Sequence, residues 1–154
     1  MDYKNDAGEW VGFDADMATA FAKSLGVDVQ FIEIDSDNKI MELNAKSIDC
    51  VWNGMTLTDE VKKSMATSNP YCDNAQVVVV PADKADQYQD VDSLKDLSFA
   101  VESGSAGEAE AKNQNLTYTS VSTQSDAVME VSSGASDACV IDLLMAGAII
   151  GEGT

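Results

Sequence analysis

Apolar positions along the chain change their period repeatedly, and each change marks an element. Met17, Ala18, Phe21, Ala22 and Leu25 recur three and four apart, the spacing of one helix face, and Gly26 follows as a stop. Asp14 stands ahead of that run as a candidate N-cap. Val27, Val29 and Phe31 then alternate, which predicts a strand over 27–34. Ile40 and Leu43 predict a short helix over 37–46, and the apolar run 48–52 predicts a second strand. Thr58 followed by Asp59 and Glu60 predicts a helix start, because acids in a first turn suit the helix dipole. Asn69-Pro70-Tyr71 breaks that helix. Residues 76–80 are nearly pure β-branched, the composition of a strand covered on both faces, and Pro81 closes it.

Residues 82–92 turn polar and acidic, so a boundary between two domains, 1–81 and 82–154, is placed there. The rhythm then restarts with a helical turn over 93–97 and a strand over 98–102. The small-residue loop Ser103-Gly104-Ser105-Ala106-Gly107 leads into a helix to about residue 114, with Ser105 and Glu108 spaced as a capping box. A strand over 118–121, a helix from Thr123 and Asp126 to Gly134, a strand over 138–141 and an apolar helix from Asp142 to Ile150 complete the series. Alternating strands and helices of this size predict an α/β fold with a parallel or mostly parallel sheet in each half. The halves echo each other, since "SIDCVWNGMT" and "ASDACVIDLL" both set an apolar strand before a polar group and a helix.

Charge and composition narrow the chemistry. With 27 acids against 9 bases and a net charge of -18, the chain is repelled by phosphate backbones, which argues against a nucleic-acid partner. The same charge makes a self-repelling, soluble surface. Histidine is absent, so imidazole triads and most imidazole metal sites are excluded. No cofactor is expected. Three cysteines without a C-x-x-C indicate neither a zinc cage nor a disulfide framework. Cys50 and Cys139 sit in apolar runs and are expected to be buried thiols, with Cys72 in a loop. Asp35-Ser36-Asp37 lacks the glycine and terminal glutamate of a calcium loop. The opening Met1-Asp2-Tyr3-Lys4 is polar, so no signal segment is read here, and 143–150 is too short an apolar run to span a bilayer.

Candidate site residues lie where predicted strands end, the place at which open α/β sheets hold ligands. Asn53-Gly54-Met55-Thr56 follows the run 48–52, bringing backbone groups and a hydroxyl to a strand end. Gly104 and Ser105 offer N–H groups at a helix N-terminus, a ready anion site. Asp142 follows a strand directly, where a carboxylate can receive an ammonium group. An anion cradle and an ammonium acceptor together suggest a free amino acid. Each residue also has a plainer reading: the Ser/Gly loop as a turn and cap, Asp142 as an N-cap, Thr56 and Thr58 as turn hydroxyls, Trp52 as core. Tyr3, Trp10 and Phe13 serve equally as a ligand frame or a hydrophobic staple.

The order of these segments resembles the polar amino-acid family of extracytoplasmic solute-binding proteins, which serve ABC importers. "GEWVGFDADMATAFAKSLG" is similar to the family's opening G-x-x-x-G-F-D-x-D segment, and "IDCVWNGMTLTDE" to its D-x-x-x-x-G-x-T-x-T-x-E segment. "SNPYCDNAQVVVV", "SLKDLSFAVESGSAGE" and "SDACVID" resemble the segments that follow. The resemblance implies a type II periplasmic-binding-protein fold, with two Rossmann-like α/β lobes joined by a hinge and closing on a ligand. It implies that Gly54 and Thr56 hold the ligand from one lobe. From the other, Gly104 and Ser105 would take its α-carboxylate and Asp142 its α-ammonium. The partners implied are an amino acid or similar small polar solute and an ABC permease. The location implied is extracytoplasmic, in a periplasm or lipid-anchored at the cell surface.

Two departures matter. Val61 stands where the family usually has an arginine that clamps the carboxylate. A charged hydrogen bond contributes roughly 1.5–3 kcal/mol, so its loss predicts weaker amino-acid binding, a different ligand, or a base supplied from elsewhere. Ser36 stands near the place of an aromatic that packs on the ligand in many relatives. The family's first strand is expected before Met1, and its return crossing and final helices after Thr154. Each lobe is therefore expected to be incomplete, with open sheet edges that invite pairing with a second copy as a homo-oligomer. The reading is a non-enzymatic receptor. The alternatives are a ligand-free, self-associating remnant, or an enzyme on the same fold with Glu102 as its acid.

Overall fold

The chain divides into two units, Met1–Ser68 and Asn69–Thr154, in a computed structural model that describes residues 1–150. In the first unit, Tyr3–Lys4 (β1) and Trp10–Val11 (β2) form an antiparallel hairpin. The Asn5 side-chain carbonyl closes its turn by accepting the N–H groups of Ala7 and Glu9, both at 3.0 Å. Phe13–Ser24 (α1), Lys39–Ala45 (α2) and Asp59–Ser64 (α3) follow. Asp14, expected as an N-cap, is instead buried in the first turn of α1, and the cap position falls on Gly12. Gly12 has φ +120°, and a Cβ there would meet the carbonyl oxygen of Met1 at 2.5 Å, so only glycine fits.

The α1 pattern predicted a helix, but the buried face is the small-residue one. Ala15, Ala18 and Ala22 are buried, while Phe13, Met17, Phe21 and Leu25 are exposed. Neither 27–34 nor 48–52 is a strand. Both runs have β-type composition, but a strand needs a ladder partner, and neither meets one among the described residues. Residues 31–33 instead dock on the hairpin by side chains. Phe31 lies 5.9 Å from the Trp10 ring, Lys4 Nζ sits 4.8 Å over that ring, and Lys4 pairs with Glu33 at 2.8 Å. Thr58 caps α3 as expected, its hydroxyl accepting the Val61 N–H at 3.2 Å.

The second unit contains Gln76–Val79 (β3), Ser98–Glu102 (β4), Ala106–Asn113 (α4), Thr117–Val121 (β5), Gln124–Ser133 (α5), Ala138–Asp142 (β6) and Leu143–Ile149 (α6). The sheet order is β3-β6-β4-β5. β6, β4 and β5 are parallel, and β3 runs antiparallel to β6 with Gln76 opposite Asp142. The α/β class expected from the pattern is therefore present here with a mixed sheet. β3 is an edge strand with Val78 exposed, not a strand covered on both faces. Its ladder on β6 draws residues 69–81 into this unit, so the division falls at 68/69 rather than at 81/82.

Alternation along β4 and β6 builds a core on each face of the sheet. Phe99, Val101, Ala138 and Val140 face one way, with Ala111 of α4, Leu94 and Leu116. Ala100, Cys139 and Ile141 face the other, with Ala127 and Val131 of α5. α5 is framed as the sequence predicts. Thr123 and Asp126 form a reciprocal capping box, and Gly134 ends the helix in the left-handed conformation at φ +78°. Cys139 is buried, and burial pushes its thiol up to about 11. Cys50, expected to be buried, is exposed, because the run that carries it joins no sheet.

Candidate functional site

β4 and β6 are adjacent and parallel, but their chain connections leave in opposite directions. From β4 the chain passes through α4 to β5 on one side, then returns through α5 to β6 on the other. This is a topological switch point, and the crevice beyond the carboxyl ends of such strands is where α/β sheets hold ligands. The loop 103–105 leaves β4 there, and Asp142 ends β6 there. β3, running antiparallel, brings its first residue Gln76 to the same edge.

Asp142 occupies the N-cap position of α6, yet its side chain does not cap that helix. It turns to three neutral amides instead. Oδ1 accepts from Asn74 Nδ2 and from Gln76 Nε2, and Oδ2 accepts from Gln124 Nε2, each at 2.6 Å. A carboxylate offers roughly four lone-pair sites, so about one remains for a further donor. The side chain is half-buried. The plain N-cap reading of Asp142 does not describe this geometry.

Ser105 is the N-cap of α4, its hydroxyl accepting the Glu108 N–H at 3.1 Å. The reciprocal half of the expected box lands one residue early. Glu108 Oε2 accepts the Gly104 N–H at 2.8 Å, and its other oxygen takes the Ser120 hydroxyl. Gly104 is thus already in contact with an internal carboxylate, while the Ser105 N–H makes a long turn bond of 3.2 Å to the Glu102 carbonyl. The N–H groups of Ala106 and Gly107, at the start of α4, have no intrahelical acceptor and give this end its anion-favouring field.

Gly107 sets how closely that field approaches Asp142. A Cβ on Gly107 would lie 2.9 Å from the Val140 carbonyl oxygen, 3.1 Å from Gln76 Oε1 and 3.4 Å from Ser105 Oγ. The first turn of α4 therefore rests directly on the end of β6. Gln76 bridges the two features, its Nε2 on Asp142 and its Oε1 beside α4. A positive helix end and a carboxylate lie side by side, the polarity that a zwitterion presents in reverse.

The structure brings Gly104, Ser105 and Asp142 to one sheet edge. Asn53, Gly54, Met55 and Thr56 lie together on a loop of the first unit, leading into α3. There Asn53 Nδ2 bonds Asp2 Oδ1 at 2.7 Å, and Gly54 lies against the flexible side chain of Met1. Burial pushes the Asp2 carboxyl above its usual range, with a smaller rise from the charge of Asp14. Val61 is buried at 5% exposure, so the position that the resemblance assigns to an arginine carries packing here. Asn74, Gln76, Gly107, Glu108 and Gln124 escaped notice as site residues in the sequence. The available signals were faint: a polar residue heading the β-branched run 76–80, and an amide directly after the Thr123 cap. Among the described residues, no cluster of three or more acids, cysteines or histidines is placed to hold a metal ion.

A mixed sheet with its switch point lined by a held carboxylate and a helix N-terminus defines an α/β binding protein, and the known structures agree. An ancestral amino acid-binding protein described as a precursor of cyclohexadienyl dehydratase superposes with a TM-score of 0.91 at 35% identity, over 96% of this chain and 66% of that one. The holo arginine-binding protein from T. maritima superposes with a TM-score of 0.90 at 33% identity, over 97% of this chain and 66% of that one. The fold is that of the type II periplasmic binding proteins. The chain belongs to the bacterial extracellular solute-binding proteins, family 3, whose model matches residues 1–139. Among curated relatives, the arginine-binding extracellular protein ArtP of Bacillus subtilis (strain 168) is 32% identical over 143 residues, 88% of this chain and 54% of that protein. The L-cystine-binding protein TcyJ of Escherichia coli (strain K12) is 30% identical over 147 residues, 94% of this chain and 55% of that protein. The chain spans about half the length of these curated relatives. No helix of the described residues is long and apolar enough to cross a membrane.

Proposed function

We propose that this chain captures an amino acid for an extracytoplasmic receptor that delivers it to an ABC permease. The observation that carries the reading is the Asp142 carboxylate, held by three amides and turned away from the helix it precedes. Its remaining acceptor site suits a ligand ammonium, and the start of α4 suits a ligand carboxylate. Relatives named for arginine, histidine and cystine support an amino acid as the solute class. Binding acts by favouring the state that makes the additional contacts.

The test is a thermal-shift screen of the common L-amino acids and L-cystine at millimolar concentration. A ligand at 100 times its dissociation constant adds about 2.7 kcal/mol to stability. A selective rise is expected, and Asp142→Asn removes it. A flat response from folded protein sinks the reading. Relatives named as binding proteins favour capture without turnover, and NMR of the incubated ligand, unchanged, checks this. A second reading, self-association, is favoured by the exposed apolar side chains of α1, with Phe21 at 51% and Leu25 at 61% exposure. Sedimentation that shows a monomer at every concentration refutes it.

A further inference from the structure

Asp142 does not hold its own orientation. Gln124, the first residue of α5, brackets it from both ends. Its Nε2 donates to Asp142 Oδ2 at 2.6 Å, and its Oε1 accepts the Asp142 backbone N–H at 3.0 Å. The amide can be placed only this way, because reversing it would set an oxygen against the carboxylate and an NH₂ against an N–H. The backbone of Gln124 is fixed in turn by the Thr123–Asp126 capping box immediately around it, with the Asp126 backbone N–H donating to Thr123 Oγ1 and the Thr123 backbone N–H donating to Asp126 Oδ2, both at 3.1 Å. A rigid helix start thus grips both the side chain and the main chain of Asp142.

The grip is also electrically neutral. Asn74, Gln76 and Gln124 supply all three donors, and none brings a charge. A lysine or arginine in any of these places would orient the carboxylate as well, and would cancel the charge that a ligand ammonium needs. Neutral donors fix the geometry and leave the negative charge for the ligand.

We propose that Gln124 is a positioning residue that presents Asp142 to the ligand ammonium, and so sets the preference for amino acids over their des-amino counterparts. This rests on the reading above, in which Asp142 takes the ammonium. The probes are L-arginine and 5-guanidinovalerate, which is arginine without its α-amino group, titrated calorimetrically against wild type, Gln124→Met, Gln124→Ala, Asp142→Asn and Gln124→Met with Asp142→Asn. Methionine keeps the length and helix preference of glutamine and removes its hydrogen bonds, so folding is retained if alanine disrupts it.

Wild type is expected to prefer arginine. Gln124→Met is expected to lose about tenfold or more in arginine affinity, the loss of one charge-assisted bond. Its affinity for 5-guanidinovalerate is expected to stay within about twofold, and Gln124→Met is expected to have no further effect once Asp142 is asparagine. A folded Gln124→Met that loses both probes equally, or neither, overturns the positioning role while the amino-acid reading stands. Wild type that binds neither probe overturns the arginine case of that reading, and this inference with it.

Discussion

Two glycines in helices of the same unit predict opposite outcomes from one substitution. An alanine methyl at 107 lands 2.9 Å from the carbonyl oxygen of Val140, well inside van der Waals contact. Gln76 and Ser105, the other near neighbours, are side chains and can turn aside. Val140 cannot, because it is laddered to Val78 on one side and Val101 on the other. α4 must therefore lift from β6. Overpacking of this kind costs about 1–3 kcal/mol, and the better helix preference of alanine offsets at most about 1 kcal/mol. Gly107 is the second residue of α4, where the full offset of a helix interior does not apply, so the expected net loss is about 0.5–3 kcal/mol, and each kcal/mol lowers Tm by about 4–8 °C in a unit of 60–100 residues. Gly147, in α6, has nothing within 4 Å of its Cβ position. Gly147→Ala should therefore stabilise by about 0.5–1 kcal/mol. Urea and thermal unfolding followed by circular dichroism measure both. A Gly107→Ala protein that melts at or above wild type, beside a stabilised Gly147→Ala, would refute the contact of α4 with the end of β6.

Further outcomes follow from the same geometry. Phe99→Ala, which empties the largest fully buried side chain in the sheet core, should cost about 3–5 kcal/mol in urea unfolding. Exposed Cys50 and Cys72 should react with a thiol reagent in the native protein, whereas Cys139, buried and with its thiol pushed up to about 11, should react only on unfolding. Asp137 accepts from the backbone N–H and the hydroxyl of Ser98, which hold its carboxyl below the ordinary value of 3.8. Because that pKa is depressed in the fold, its stabilisation is present above 3.8 and is lost as pH falls through the folded value. The Tm gap between wild type and Asp137→Asn should therefore be widest near neutral pH and should close in acid; a gap that is constant with pH would contradict this.

The second unit was legible in the sequence because its signals are local. Strand 98–102, the Thr123–Asp126 box and the Gly134 stop depend on residues a few positions apart. The first unit was less so. Period alone identified α1, but not that alanines would face inward and Phe21 outward. The runs 27–34 and 48–52 have strand composition, but ladder formation depends on a distant partner that composition does not encode. Among site residues, Asp142, Gly104 and Ser105 were visible as strand-end and helix-start positions. Asn74 and Gln76 were not, since they lie 68 and 66 residues from the carboxylate they hold, and no spacing rule reaches that far. Gly107 reads as one more small residue in a turn until the Val140 carbonyl is seen beside it.

The antiparallel seating of β3 on β6 also has a kinetic consequence. Its ladder, and the amides of Asn74 and Gln76 on Asp142, join the two ends of the second unit in sequence. Such distant pairings are slow to form, because the loop between them must close before any contact rewards it. β4, α4 and β5 can assemble as neighbours while the chain is still emerging during synthesis, but the Asp142 cluster must wait for both ends. It should be the last part of the unit to order and should lag behind the appearance of helix in refolding. A nascent chain halted before residue 138 would then hold the β4–β5 pair, with β3 still unpaired and no working carboxylate, so ligand capture would report completion of folding.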